Sequence, residues 1–591
     1  MKKKNVLASV LLAGALFLSA CGGSASTSTS ASGVSGSFTG TAKGMGDMSV
    51  TLTLTDSVIT DCTATGDSET PGIGSVVIEQ FPAEVVKGNT INLDSISGAT
   101  ITSNAFIEAA KAALTDAGQK VIIVESQAMV GGNSVRATGG MNAAKTIYQD
   151  ENEFGQSAGV EKMLATAADK YADNATITAL AKTVSEQWAA YQANPTGYFD
   201  SVELMELMEL DTMVCGKVLN DPELVKTLCE GTEGAIDWLD ENGMSLHNVS
   251  SFGGASVKRI HRPTNEEGKV VSVGAYLIPL MEENCAKRGI DIVLNTTVDT
   301  ILTDAKGAAV GISGTDKDGN TVVVNAKSVI LSTGGFGANL DMVTEYKPEL
   351  AGFMTTNAAG AQGQGIAMAT AIGADTVDMD QIQIHPTVEA NTAALITEGL
   401  RGDGAILVNA NGERFIDEVG TRDVVSAAEI AQPGSYSWLI VDQAMADASS
   451  VIQGYIKKGY TKSGATYEEL AKKLEIDPAS FAKTMETWNG YVEAKNDPDF
   501  GRTSFATPLN NGPFYAIKVT AGVHHTMGGV TINSATEVLK VDGTAIPGLF
   551  AAGEVTGGVH GANRLGGTAV ADFVVFGRIA GDSAAAYASA Q

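Results

Sequence analysis

Three short apolar runs in the sequence end in small or acidic residues. They are QKVIIVE at 119–125, VILSTGG at 329–335 and PGLFAAGEV at 547–555. Continuous apolar runs of this length are typical of strands buried on both faces of a parallel sheet. Glycine at a strand end lets the backbone approach a ligand closely, and an acid there can hydrogen-bond a ribose hydroxyl. These runs predict an α/β protein with a nucleotide-binding sheet.

The usual first unit of such a sheet is missing before the first run. An Ala-rich helix is predicted over 104–117, with Phe106, Ala110 and Leu114 on one face. The strand at 119–125 follows at once, where a dinucleotide-binding domain would first place another strand and a GxGxxG turn. Roughly 35–50 residues are missing, judged from the length of a strand–turn–helix unit with its linker. A bound dinucleotide would have to rest its pyrophosphate on loops such as 126–134, with reduced affinity.

The charge of the chain limits its partners. The 591 residues carry a formal net charge of −29, which argues against nucleic acid as a partner. A site for an anionic substrate must therefore be a local cationic exception in this chain.

The N-terminus indicates export and lipidation. Three lysines at 2–4 precede an apolar run at 6–18 that is too short to be a comfortable membrane span. The sequence LSAC at 18–21 resembles a bacterial lipobox, and a Ser/Gly/Thr-rich linker follows. We expect a lipid on Cys21 and a protein anchored on the extracytoplasmic side of a bacterial membrane. An ordinary secretory signal is the alternative.

The other cysteines give no sign of a cofactor. Cys62, Cys215, Cys229 and Cys285 occur in no CxxC or CxxCH sequence, so c-type haem attachment is not expected. There is no zinc-ligand spacing, and no metal site is predicted. All four are expected to be buried thiols.

Local patterns predict further elements. Alternation over about 37–96 predicts a small antiparallel sheet, and about 155–250 is helical and acidic. Later elements are a helix at 275–289, a strand at 290–294, a strand pair around the turn KDGN at 317–320, and a helix after Gly566.

The sequence DSISGAT at 94–100 precedes the helix at 104–117. Small residues at such a place give an exposed backbone that can approach a phosphate, although a plain Ser/Thr-rich N-cap has the same appearance. The string, with ETPGIGS at 69–75, resembles the covalent FMN-binding domain. That resemblance implies FMN attached to Thr100 through a phosphoester.

The glycine-rich strand ends resemble FAD-binding flavoproteins of the fumarate reductase and succinate dehydrogenase superfamily. The segments are MVGGNS at 129–134, ATGGMN at 137–142, STGGF at 332–336 and AGE at 552–554. The resemblance implies non-covalent FAD bound by Glu125, Gly131, Gly132, Asn133, Ser134, Gly139, Gly140, Thr333, Gly334, Gly335, His525, Glu554, Ala569 and Val570.

A longer set of motifs narrows the resemblance. They are QIHPT at 383–387, TEGLRG at 397–402, RFIDE at 414–418, TRD at 421–423, GVHHTMGG at 522–529 and HGANRLGG at 560–567. In this order they resemble the soluble, flavocytochrome c-type fumarate reductases, over nearly everything from residue 120 onward. The chain carries the FMN-binding sequence where some relatives carry a haem domain. The resemblance implies a dicarboxylate held by His385, Thr397, His524, Arg564 and Gly140.

The same resemblance implies fumarate reduction. A hydride from N5 of FAD reaches one alkene carbon, and Arg422 protonates the other. Glu398 and Arg401 form the proton relay, although a Glu–Arg pair at this spacing is normally a surface salt bridge. Electrons would pass through FMN from a membrane electron-donor chain in anaerobic respiration. Alternatives are reduction of another α,β-unsaturated carboxylate, such as urocanate, acrylate or cinnamate, and an FMN electron carrier with a degenerate FAD domain.

The implied architecture is an α/β multidomain protein: a Rossmann-like FAD-binding domain with an inserted α+β clamp domain and a small N-terminal α+β FMN-binding domain. The predicted order is signal peptide 1–21, linker 22–36, FMN-binding domain 37–117, first FAD-binding segment 118–379, clamp domain 380–523 and second FAD-binding segment 524–591.

Overall fold

A computed structural model describes residues 36–591, except 56–57, 89–90, 92, 94, 117–120, 203–204, 253 and 289. Cys21 and the lipobox lie outside the described residues. No helix in the described part of the chain is both long enough and apolar enough to cross a membrane.

The N-terminal lobe is an antiparallel sheet covered by two helices. Its elements are β1 (Gly36–Lys43), β2 (Asp47–Thr55), β3 (Val58–Thr65), α1 (Gly74–Gly88) and α2 (Thr100–Asp116). The three strands pair antiparallel, and β2 alternates between buried and less buried residues, as predicted. The prediction of a sheet throughout 37–96 is wrong from residue 74 onward. There Val77, Phe81 and Val85 recur every four residues and form the buried face of α1.

The central lobe combines short strands with a helical region. The helices over about 155–250 are confirmed, and so is the hairpin whose turn is KDGN, with Thr315 paired to Thr321. The elements in chain order are β4 (Ile122–Val124), β5 (Met141–Asn142), α3 (Ile147–Asp150), α4 (Ser157–Lys170), α5 (Ala175–Ala193), α6 (Phe199–Val202), α7 (Glu206–Cys215), α8 (Pro222–Glu241), β6 (Asn248–Ser250), β7 (Ile260–Arg262), α9 (Val273–Lys287), β8 (Asp291–Val293), β9 (Thr296–Thr303), β10 (Ala309–Asp316), β11 (Thr321–Asn325), β12 (Val329–Leu331), α10 (Leu340–Tyr346), α11 (Gln364–Ala371) and β13 (Thr376–Val377).

An inserted lobe with its own hydrophobic core follows, and the chain then returns to the central lobe. The boundaries drawn from the sequence stay a prediction. The elements are β14 (Ile382–Glu389), α12 (Gly399–Gly402), β15 (Ile406–Val408), α13 (Arg422–Ile430), β16 (Ser437–Val441), α14 (Gln443–Ala448), α15 (Ser450–Lys457), β17 (Thr461–Gly464), α16 (Tyr467–Leu474), α17 (Pro478–Ala494), β18 (Phe514–Thr526), β19 (Gly529–Val530), β20 (Glu537–Leu539), β21 (Ala545–Ala551) and α18 (Thr568–Ser589).

The parallel sheet of the central lobe is divided into two pieces. Strand β4 pairs only with β8, and β12 pairs only with β21, among the residues described. The free edges of β4 and β12 line the same large cavity. The prediction that 119–125 is a strand buried on both faces is therefore wrong. Ile122 is 39% exposed and Ile123 36% exposed, because no strand of the described chain packs against the other edge of β4.

The four cysteines in the described part of the chain are free thiols. Cys62, Cys215 and Cys229 are buried, as predicted, but Cys285 is only half-buried. It lies near the end of α9, beside the exposed final residues of that helix.

Candidate active site

One cavity of about 3090 Å³ gathers most of the predicted site. Of the predicted residues, Arg401 and Gly335 are not part of its lining, and Thr100 belongs to the N-terminal lobe. The predicted residues that line it are Glu125, Gly131, Gly132, Asn133, Ser134, Gly139, Gly140, Thr333, Gly334, His385, Thr397, Glu398, Arg422, His524, His525, Glu554, Arg564, Ala569 and Val570.

Two histidines, His385 buried and His524 half-buried, face each other across a pair of antiparallel strands. His385 lies on β14 and His524 on β18, with ring centroids 4.9 Å apart. Burial, together with the positive charge of Arg422, lowers the pKa of both rings well below the usual value. His385 Nδ1 accepts a hydrogen bond from the Thr387 backbone N–H at 3.1 Å. The neutral ring therefore carries its proton on Nε2, where it can donate to a ligand.

Arg422, the first residue of α13, is held by two side chains from other elements. Its Nε and Nη2 donate to Glu398 Oε2 at 2.8 and 2.5 Å, and its Nη1 donates to Gln383 Oε1 at 2.8 Å. The guanidinium is buried, and contacts at both ends fix its plane. A planar group held in this way can present a nitrogen to one point of a substrate.

Glu398 and Arg401 form a buried pair next to Arg422. Arg401 Nη2 lies 3.1 Å from Glu398 Oε1, and both side chains are almost fully buried. The alternative of a surface salt bridge is therefore wrong for this pair. Burial alone would raise the pKa of Glu398, but Arg422 and Arg401 outweigh it and lower that pKa. The carboxylate thus bridges two guanidinium groups, which suits a path for a proton.

Arg564, in the loop before α18, is the second buried cation of the cavity. Its Nη1 donates to the Leu565 carbonyl at 3.0 Å, while its Nε has no hydrogen-bond partner among the described residues. Burial, followed by repulsion from Arg422, lowers the pKa of Arg564 to about 9. An anion in the cavity would relieve both penalties, so the arrangement favours a carboxylate ligand.

Gln383 is a site residue that the sequence reasoning did not select. Besides accepting from Arg422, it donates to Asn563 Oδ1 at 2.7 Å and to the Arg564 carbonyl at 2.8 Å. One side chain, that of Gln383, thus hydrogen-bonds both to the guanidinium of Arg422 and to the backbone of Arg564. Strand periodicity could have identified it, because residues two apart on a strand lie on one face, and Gln383 is two residues before His385.

The two ends of a dinucleotide site are present in the same cavity. At one end, Glu125 follows β4, and one of its carboxylate oxygens accepts from the Gln127 N–H at 2.8 Å. Gly131 and Gly132 have φ values of +105° and +43°, which favour glycine. Asn133 then donates to Glu554 Oε2 at 3.1 Å, near the end of β21.

The pyrophosphate of a dinucleotide would lie between these two ends, and at that place the sheet is divided into its two pieces. FAD needs an acid for its ribose and a close backbone for its ring system, and Glu125 and the glycines of this cavity fit those parts. Its pyrophosphate usually rests on the turn between the first strand and a helix N-terminus. In the described chain, only the free edges of β4 and β12 stand at that place. The residues present fit FAD at both ends and supply no phosphate loop between them.

The N-terminal lobe contains a second, smaller cavity of about 160 Å³ close to Thr100. The three residues preceding Thr100 line it, and Gly98 among them has a φ of +85°. Thr100 is exposed at the first position of α2. In contrast, Thr102 is buried and donates to Glu69. Thr100 is therefore the threonine at this helix start that is open to modification.

Comparisons with known proteins agree with an FMN-binding lobe followed by an FAD-binding lobe. An FAD binding domain model matches residues 109–203 and 188–570. An FMN-binding domain model matches residues 44–115. Residues 109–115 are common to both matches and lie on α2, so one helix stands where two domains meet.

Three known proteins show the relationship. The NADH:fumarate oxidoreductase of Klebsiella pneumoniae (strain 342) is 39% identical over 547 residues, which are 86% of this chain but 54% of that protein. The urocanate reductase of Eggerthella lenta is 33% identical over 605 residues, 98% of this chain and 97% of that protein. A structure of the open conformation of a flavocytochrome c3 fumarate reductase matches with a TM-score of 0.59 and 38% identity, over 80% of this chain and 75% of that one.

The chain thus spans about half the length of the first of these relatives and nearly the whole of the second. It belongs to the flavocytochrome c-type fumarate reductase family of FAD-dependent oxidoreductases that act on CH–CH groups, with an FMN-binding domain in front.

Proposed function

We propose that this chain reduces fumarate to succinate and receives its electrons through FMN on Thr100. The observation that carries the proposal is the pair of buried guanidinium groups, Arg422 and Arg564, that line one cavity together with two neutral histidines. In a chain of net charge −29, this is the local cationic exception that a dicarboxylate needs.

Binding of the dianion rests on donors at both carboxylates. Arg564 offers a fork that matches a carboxylate. His385 offers its Nε2–H, because its Nδ1 already accepts from Thr387. Thr397 supports the same wall of the cavity, where its Oγ1 lies 3.4 Å from the Thr138 carbonyl.

Reduction needs a hydride on one alkene carbon and a proton on the other. FAD, when bound, supplies the hydride. Arg422 supplies the proton, although the solution pKa of arginine exceeds about 12. It can do so because Glu398 and Gln383 hold it in place against the developing carbanion. Arg401 then returns a proton to Arg422 through Glu398.

The cellular setting in the proposal comes from the sequence. A lipid on Cys21 would hold the protein on the extracytoplasmic side of a bacterial membrane. Electrons would reach FMN from a membrane electron-donor chain, with fumarate as the terminal acceptor of anaerobic respiration. The FMN-binding domain and the exposed Thr100 support this route.

Substrate preference tests the proposal directly. With saturating FAD and a reduced viologen dye, we expect fumarate to be reduced faster than urocanate, acrylate or cinnamate. The reason is that both carboxylates of fumarate find cationic or neutral donors in the cavity. Initial rates of dye oxidation measure the order, and a much higher rate with urocanate or a cinnamate-type acid would contradict it.

Two other functions are favoured by particular observations. Reduction of urocanate is supported by the urocanate reductase relative, which matches this chain along almost its whole length. An FMN electron carrier with an inactive FAD domain is supported by the lack of a phosphate loop between β4 and β12 among the residues that the structure describes. Flavin content separates the carrier from the enzymes, since a carrier would retain only the covalent FMN.

Replacing Thr100 by alanine is expected to remove the covalent FMN and to spare dye-linked fumarate reduction, because the dye reduces FAD directly. Mass spectrometry of the intact protein and fluorescence of the denatured chain measure the attached flavin. Ser95→Ala removes another exposed hydroxyl of the same segment and should keep the FMN. Loss of dye-linked activity in Thr100→Ala would show that FMN is more than a relay.

A further inference from the structure

Asp423, the second residue of α13, lies where the inserted lobe meets the central lobe. Its Oδ2 is 2.7 Å from Lys217 Nζ, and its Oδ1 accepts a hydrogen bond from Asn563 Nδ2 at 2.9 Å. Lys217 follows α7 and Asn563 precedes α18, so both belong to the central lobe. One carboxylate thus joins the start of α13, where Arg422 lies, to two separate segments of the other lobe.

Asn563 continues the hydrogen bonds from Asp423 back to Arg422. Its Oδ1 accepts from Gln383 Nε2 at 2.7 Å, and Gln383 Oε1 accepts from Arg422 Nη1 at 2.8 Å. Because Arg422 and Asp423 are neighbours in the chain, these contacts close a ring. A carboxylate only accepts and a guanidinium only donates, so each amide between them turns its nitrogen toward Asp423 and its oxygen toward Arg422. The ring also includes the residue next to Arg564.

The carboxyl group of Asp423 is held in its charged form. Thr421 Oγ1 donates to the same Oδ1 at 2.6 Å. Burial alone would raise the pKa of Asp423, but the hydrogen bonds from Lys217 and Thr421 outweigh it and lower that pKa. The pair with Lys217 is partly open to solvent, since the side chain of Asp423 is 32% exposed and that of Lys217 is 55% exposed.

The backbone that carries Lys217 is strained. Lys217 and Val218 have φ values of +54° and +60°, and a β-branched residue rarely adopts this left-handed conformation. Such strain persists where the surrounding structure holds it. Here the Ala562 N–H donates to the Gly216 carbonyl at 2.9 Å, so the loop after α7 is fixed against the loop that carries Asn563. Both partners of Asp423 therefore stand on one supported surface of the central lobe.

We propose that Asp423 is a positioning residue for the reaction: through Lys217 and Asn563 it joins the inserted lobe to the central lobe and so holds Arg422 at the substrate. This inference rests on the proposed function. Glu398 belongs to the same lobe as Arg422, so its hydrogen bonds move together with the guanidinium. The contacts of Asp423 cross to the lobe that carries Arg564 and the glycines that fit FAD, and they set the acid against both.

Three substitutions remove these contacts in steps, and dye-linked kcat and KM for fumarate with saturating FAD measure the result. Asp423→Ala removes both contacts and should lower kcat by at least about tenfold, because a small displacement of a catalytic group is costly. Asp423→Asn keeps an oxygen for Asn563 but not the charge facing Lys217. It should lower kcat about two- to fivefold, the size of a partly exposed ion pair, and Lys217→Met should do the same. KM should change less than kcat, because Arg564 keeps its own hydrogen bond to Leu565.

The double variant Lys217→Met/Asp423→Asn separates a specific contact from a general loss of stability. It should lower kcat no more than either single change, since both remove the same pair. Two controls should keep the wild-type kcat. Lys162→Met removes an exposed lysine 4.0 Å from Asp417 across the same boundary. Asp447→Asn changes an exposed aspartate of the inserted lobe that also accepts from a side-chain amide.

Hydrogen exchange followed by mass spectrometry gives a readout that needs no turnover. Peptides covering 216–220 and 559–563 should exchange faster in Asp423→Ala than in the wild type, because both loops lose their contact with the inserted lobe. Wild-type exchange in both loops would overturn the proposal, and so would a double variant whose loss of kcat is the product of the two single losses. A wild-type chain without fumarate reduction would contradict the proposed function instead, and the exchange would still decide whether Asp423 joins the lobes.

Discussion

Replacing Arg422 by alanine is expected to lower kcat for fumarate by about 10²–10⁴-fold, the range associated with a positioned general acid. Arg422 contacts Glu398 and Gln383 and lines the substrate cavity, so its loss removes the proton donor from the site. Fumarate affinity should change far less, because Arg564 and the two histidines remain. Dye-linked kinetics measure kcat, and equilibrium titration measures the affinity.

Two controls separate chemistry from folding. Alanine at position 422 leaves Glu398 buried with one cation fewer, which costs stability. Arg422→Lys keeps a positive charge beside Glu398, so it should restore stability but little activity, since a lysine lacks the fork that holds the guanidinium in place. Arg288→Ala, at an exposed arginine, should keep the wild-type rate. A kcat within tenfold of wild type in Arg422→Ala would contradict the assigned acid.

Local patterns were sufficient for the residues that sit in short motifs. His385, Glu398, Arg422, His524 and Arg564 come from five separate segments, and all line one cavity. The resemblance of these motifs, taken in order, to the flavocytochrome c-type family implied this. Their roles in binding and catalysis stay predictions.

Residues whose importance depends on packing could not be predicted from the sequence. Glu429 looks like an ordinary exposed acid until α13 is seen to turn it inward. Ile122 and Ile123 look like core residues until β4 is seen with one edge unpaired. In both cases the sequence predicts the local pattern correctly. Whether a side chain is buried is decided by packing neighbours that are distant in sequence.

Inserting a strand–GxGxxG–helix unit between residues 118 and 119 is expected to tighten FAD binding by about 100-fold or more. Two backbone hydrogen bonds to a charged phosphate contribute about 3 kcal/mol together, and each tenfold in Kd corresponds to about 1.4 kcal/mol. The new strand would occupy the space between the free edges of β4 and β12 and cover exposed apolar side chains such as Ile123 and Ile330. Titration of the apoprotein with FAD measures Kd, and thermal unfolding measures the added stability.

A matched insertion with valine in place of the GxGxxG glycines separates the two effects. It should cover the strand edges and raise the unfolding temperature as the glycine version does, but side chains in the turn would keep the backbone from the pyrophosphate. The predicted result is therefore stabilisation by both insertions and tight FAD binding by only one. Equal FAD affinity in the unmodified chain and in both insertions would mean that Glu125 and the loop 126–134 hold the dinucleotide without a phosphate loop, and the divided sheet would then have no consequence for the cofactor.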